Sequence, residues 1–122
     1  MLKNRMERLN GSIKKVVLEV INTRLDNPAI PPSVSVTRVD TTLDMSISRV
    51  YIDCLGTDAE RQAMLRAVKS AGGLIRGEVS RRIQIRVTPR LEFYLDEGDK
   101  HSQRIEEIFK SIVIPPLEEE DD

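Results

Sequence analysis

The chain has 122 residues and 39% hydrophobic content, enough for one core of ordinary extent, and no run approaches the roughly 18 to 20 apolar residues of a membrane helix. A single cysteine, Cys54, excludes a disulfide framework, and with one histidine it cannot supply the ligand set of a zinc site. The net charge of −1 conceals an uneven distribution: Glu118 to Asp122 are all acidic, which leaves nineteen positive against fifteen negative residues, a body of +4.

In chain order, Met6, Leu9, Ile13, Val16, Val17, Val20, Ile21 and Leu25 recur at three- and four-residue intervals and predict an amphipathic helix over roughly residues 3 to 25. Pro28, Pro31 and Pro32 end it, because proline lacks the N–H and disfavours helical geometry in the preceding residue. Two β-rich runs follow, about 34 to 40 and 46 to 54, joined by a link short enough for a hairpin. In the second, Val50, Ile52 and Cys54 alternate with Arg49, Tyr51 and Asp53, which predicts one buried and one wet face. Cys54 then reads as a small core residue.

Thr57 with Glu60 three positions on is a capping box, and Met64, Leu65, Val68 and Ala71 continue at helical spacing from about residue 58. Gly72-Gly73 should interrupt that helix, with a second one from Leu74 to about Arg82 using Leu74, Ile75 and Val79 as its apolar positions. Every odd position from Ile83 to Leu95 is apolar, which predicts a strand, and Pro89 within it requires an edge or a bulge. Ile105, Ile108, Phe109 and Ile112 mark a last helix, ended by Pro115-Pro116. The expected organisation is one domain over residues 1–114 and a short, disordered acidic tail over 115–122. Its fold class is α+β, with helices packed on one face of a three-stranded sheet.

Residues 61 to 90 carry Arg61, Arg66, Lys69, Arg76, Arg81, Arg82, Arg86 and Arg90 against Glu78 alone, +7 in thirty positions. Such a cluster favours polyanions, since each neutralised phosphate releases condensed counterions. With no Trp, two Phe and two Tyr, any nucleic-acid contact is expected to rest on charge and backbone rather than on aromatic stacking platforms. No Gly-Lys-Ser/Thr follows the glycines, so they are not a nucleotide loop, and no cofactor is expected. A helix-break-helix between a hairpin and a third strand is the frame of the KH nucleic-acid module, although no GXXG loop stands at residues 72 to 77.

Ala71-Gly72-Gly73 followed by Leu74-Ile75-Arg76 resembles the kink motif of bacterial ribosome-binding factor A, in which Ala-x-Gly replaces the KH loop. Leu25-Asp26-Asn27-Pro28, Val36-Thr37-Arg38-Val39, Asp44-Met45, Val50-Tyr51-Ile52 and Ile85-Arg86-Val87-Thr88-Pro89 with Leu91, Phe93 and Asp96 are similar to further motifs of that family, in order. The resemblance covers about residues 5 to 112. It implies a type II KH-like domain and a factor that binds the free small (30S) ribosomal subunit, assists late maturation of 16S rRNA and supports growth in the cold. The expected phosphate contacts are Lys69, Arg76, Arg81, Arg82 and Arg86, with Arg5, Arg8, Lys14 and Lys15 as a second patch. Ala71, Gly72 and Gly73 form the kink. The chain is expected to be a monomeric, cytoplasmic, non-enzymatic protein without membrane contact. The rival reading is a module whose basic face or sheet edge meets an acidic protein without touching RNA.

Overall fold

The computed structural model describes residues 2–98, with side chains described from residue 5. The expected helix over 105–112 and the acidic tail lie outside these residues. Helix α1 spans Leu2–Arg24, strands β1 and β2 span Ser35–Thr41 and Ile47–Asp53, helices α2 and α3 span Asp58–Ser70 and Gly72–Arg82, and strand β3 spans Arg90–Leu95. The sheet order is β1-β2-β3, with β2 antiparallel to β1 and parallel to β3. This is an α+β domain of the type II KH-like arrangement that the resemblance implies.

The core is one cluster built from three helices and one face of the sheet. Ile13, Val17, Val20 and Ile21 of α1, Met64 and Val68 of α2, and Ile75 and Val79 of α3 meet Val36, Val39, Val50, Ile52, Phe93 and Leu95. Val36 and Val39 are three apart, yet both face inward, because a bulge between Val36 and Arg38 inserts one residue and resets the alternation. The sheet is tied to α1 by a polar relay: buried Ser48 shares a hydrogen bond with the Thr41 hydroxyl, which donates to Asn10 Oδ1 at 2.6 Å. A buried hydroxyl left without that partner would cost about 1 to 3 kcal/mol.

The hairpin turn is rigidly specified. Met45 sits at φ 62, in the left-handed region, and the Asp44 carboxylate accepts from the Ser46 amide, the Ser46 hydroxyl and the Thr42 hydroxyl. Those bonds hold Asp44 below the usual carboxylate range. At the start of α2 both halves of the capping box form, with the Glu60 amide donating to Thr57 Oγ1 and the Thr57 amide donating to Glu60 Oε1. Gly56 precedes it at φ +141, where a Cβ would lie 2.7 Å from Glu60 Oε1, so the box needs glycine there.

The structure departs from the sequence reading in four places. The expected strand from Ile83 shortens to Arg90–Leu95: Ile83 is the C-cap of α3, and the register of Ile47 with Arg90 through Ile52 with Leu95 takes up nearly all of β2, leaving no partner for earlier residues. Pro89 stands directly before β3, which is an edge strand. Tyr51, expected to be wet, is buried, because its ring stacks on Tyr94 at 5.6 Å and the Arg38 guanidinium lies 4.2 Å above it. Leu74, expected in the core, is exposed. The second helix opens at Gly72 rather than Leu74, so the break is Ala71 alone.

Candidate nucleic-acid interface

Ala71 serves as C-cap of α2 and N-cap of α3, at φ −96 and ψ 11. The bend therefore falls on one residue in the bridge region, and the two glycines form the first turn of α3 at negative φ. A Cβ at Gly72 would touch Phe93 at an ordinary 3.8 Å, and one at Gly73 would meet nothing within 4 Å. Neither close packing nor a left-handed backbone demands glycine here. Gly72→Ala with Gly73→Ala is accordingly expected to leave the fold intact and raise its stability by up to about 1 kcal/mol per site. A urea midpoint that falls instead would show that the bend depends on both glycines.

The five cations expected around this bend divide into two kinds. Arg76 is committed to the fold: its Nε donates to the Pro89 carbonyl at 3.1 Å and its Nη2 to the Thr88 carbonyl at 2.6 Å, pinning the segment before β3 onto α3. Arg81 and Arg82 both engage the buried Glu78 carboxylate, and Arg82 also reaches Glu19 at 3.0 Å. Lys69 and Arg86 are exposed, and neither pairs with an acid among the described residues. Lys69 borders a groove with Gly72, Leu91, Phe93, Tyr94 and the acidic Glu92, whose carboxylate is engaged by Arg90 and Tyr94, and Arg86 borders another with Gly73, Arg76, Gly77 and Thr88. Gly72 lines the first groove and Gly73 the second, so each cation without an acidic partner among the described residues shares its groove with one glycine of the pair.

Arg66, one turn before Lys69 on α2, is also exposed without a described acidic partner and was not among the expected contacts. Its three-residue spacing from Lys69 was the available signal. On α1, Arg5, Arg8, Lys14 and Lys15 are all exposed. At about 100° per residue, Arg5, Arg8 and Lys15 share one side, whereas Lys14 lies on the opposite flank of the apolar stripe. The second patch is thus three residues wide with one outlier.

The sheet face opposite the helices offers no free aromatic platform among the described residues, because Arg38 caps Tyr51, Tyr94 stacks on Tyr51, and Tyr94 donates its hydroxyl to Glu92 at 2.6 Å. That bond raises the Tyr94 pKa and, together with Arg90, lowers that of Glu92. At the other end of the strands, Arg61 bonds Asp53 at 2.8 Å, which raises the Arg61 pKa, so this cation is structural. Burial pushes the Cys54 thiol up, away from the thiolate form that a nucleophile requires. Among the described residues no group of three or more His, Cys, Asp and Glu is placed to hold a metal ion. No helix of the described residues is long and apolar enough to cross a membrane.

Fold and site together define a small α+β domain of KH-like type, in which one residue bends the chain between two helices and exposed cations line grooves that border the glycines after it. The family model described as Ribosome-binding factor A matches residues 5–109, and the chain belongs to that family. It is 37% identical over 112 residues to ribosome-binding factor A of Clostridium tetani and 34% to that of Clostridium novyi, covering 92% of this chain and 93% of each relative. Among solved structures it is similar to a solution structure from Thermotoga maritima described as a putative ribosome binding factor A, with TM-score 0.69, 28% identity and coverage of 77% of this chain and 89% of that one. The crystal structure of ribosome-binding factor A from Thermus thermophilus gives TM-score 0.66 at 27% identity, covering 74% and 93%. A homology model of the Thermus thermophilus protein, fitted into a cryo-EM map of its complex with the 30S subunit, gives 0.58 at 27% identity, covering 70% and 88%.

Proposed function

We propose that this chain is a non-enzymatic assembly factor that binds the free small ribosomal subunit through the backbone of 16S rRNA and assists late maturation of that RNA. Membership of the family supports the ribosomal partner, and so does the similar Thermus protein described in complex with the 30S subunit. The observation that carries the RNA contact is the placement of Lys69 and Arg86, exposed and without described acidic partners, on two grooves that are lined by Gly72 and by Gly73. Cations of this kind bind phosphates without reading sequence, and bare backbone lets a nucleic-acid strand approach closely. The chain acts as a monomer in the cytoplasm and needs no cofactor.

The test is co-sedimentation of the full chain with purified small subunits over a range of salt concentrations. Binding to free small subunits, a linear fall of log affinity with log salt, and release on joining of the large subunit are expected. Absence of sedimentation with small subunits, or binding indifferent to salt, would sink the reading and favour a protein-only partner. The Gly72→Ala, Gly73→Ala variant adds an independent check, because it should be at least as stable as the parent yet bind poorly and fail to support growth in the cold.

A further inference from the structure

Glu78 is the one acid among the eight cations of residues 61 to 90, and it is 3% exposed. Three guanidinium groups converge on it. Arg24 Nη1, from the last turn of α1, donates to Oε2 at 2.8 Å; Arg81 Nη2 donates to the same oxygen; Arg82 Nε donates to Oε1 at 3.1 Å. The arginines themselves reach solvent, with Arg24 and Arg81 side chains 47% and 65% exposed. Only the carboxylate is buried. Of the five N–H donors of each guanidinium, Arg24 and Arg81 spend one on Glu78, and Arg82 spends one on Glu78 and another on Glu19.

We infer that Arg24 is a further phosphate contact of this protein and that Glu78 is the positioning residue that holds Arg24, Arg81 and Arg82 as one three-arginine site bridging α1 and α3. The inference rests on the RNA-binding reading above and deepens it. Three cations this close repel one another and would spread as flexible side chains. A buried carboxylate between them offsets the repulsion and fixes their forks in advance, so less rotamer freedom is lost when an RNA phosphate binds. With Glu19 on Arg82, the cluster is three positive against two negative charges, so a surplus positive charge faces solvent. Planar guanidinium forks with donors left over match the oxygens of a phosphodiester, which accepts bidentate bonds.

The decisive variant is Glu78→Gln, because the two explanations of Glu78 give opposite signs. Bulk electrostatics predicts that removing a negative charge tightens binding to an RNA-rich particle. Positioning predicts about tenfold weaker binding to purified small subunits at fixed salt, with a shallower salt slope, in spite of the added net positive charge. Arg24→Ala supplies the second arm: Glu78 keeps Arg81 and Arg82 as partners, so its charge stays paired and the fold is retained, and the slope should fall by roughly 0.7 to 0.9. Arg24→Lys, which keeps the charge, should restore most of that slope. Equal or tighter binding by folded Glu78→Gln, or a parental slope in Arg24→Ala, overturns the inference and leaves the RNA-binding reading standing. If Glu78→Gln does not fold, the Arg24 pair decides alone. A parent protein that does not bind small subunits removes both.

Discussion

Replacing Arg66, Lys69 and Arg86 together by Ala is expected to weaken binding to the small ribosomal subunit by about 10- to 100-fold near physiological salt, and to lower the log–log salt slope by roughly 2 to 3. These three are the cations of residues 61 to 90 that are exposed and carry no acidic or carbonyl partner among the described residues, so their positive potential is available to a ligand. Thermal stability should stay within about 0.5 kcal/mol of the parent, as is usual for surface changes away from caps and networks. Arg76→Ala gives the contrasting result. It removes two bonds to the carbonyls of Thr88 and Pro89, so it should loosen the segment before β3 and cost stability of order 1 to 3 kcal/mol. Full binding by the triple variant at two salt concentrations would place the RNA face elsewhere on the molecule.

The division between these two kinds of arginine marks the limit of what one sequence discloses. The element order through β3, the capping box at Thr57 and the existence of a break between two helices were legible, because each rests on residues within a few positions of one another, although the break falls on Ala71 and not on the two glycines. The strand start was not. Odd-numbered apolar residues continue back to Ile83, but the first of them caps α3 and the ladder begins only where β2 supplies a partner. Tyr51 was misplaced for a similar reason: local alternation puts it in water, and it is buried by Arg38 and Tyr94 from neighbouring strands. The charge total of the basic segment was readable, and the pairing within it was not. Glu78 lies three and four residues before Arg81 and Arg82, a helical spacing visible in the sequence, whereas Arg24 joins it from 54 positions away. A sequence lists cations, and only the fold decides which of them are already paired.

Ile75→Ala is expected to cost about 2 to 5 kcal/mol, the largest effect of any change described for this protein. Ile75 is fully buried and stands in the core cluster with residues of α1, α2 and all three strands. It is also the first buried residue after the bend, and its amide donates to the Ala71 carbonyl at 3.0 Å, so it closes the first turn of α3. The glycines preceding it have no side chain to pack, which leaves Ile75 and Val79 as the buried apolar residues of the helix that carries Arg81 and Arg82. Against a total of roughly 5 to 15 kcal/mol for a domain of this kind, the loss is a large fraction of the stability. Ile75→Val, which removes one methylene, should cost only about 0.5 to 1.5 kcal/mol and keep the bend. Urea unfolding of the two variants measures the difference directly: Ile75→Ala should have a much lower midpoint with an unchanged slope. If instead the midpoint hardly moves, α3 is not held by the core, and the orientation of its arginines must be set by the Glu78 cluster alone.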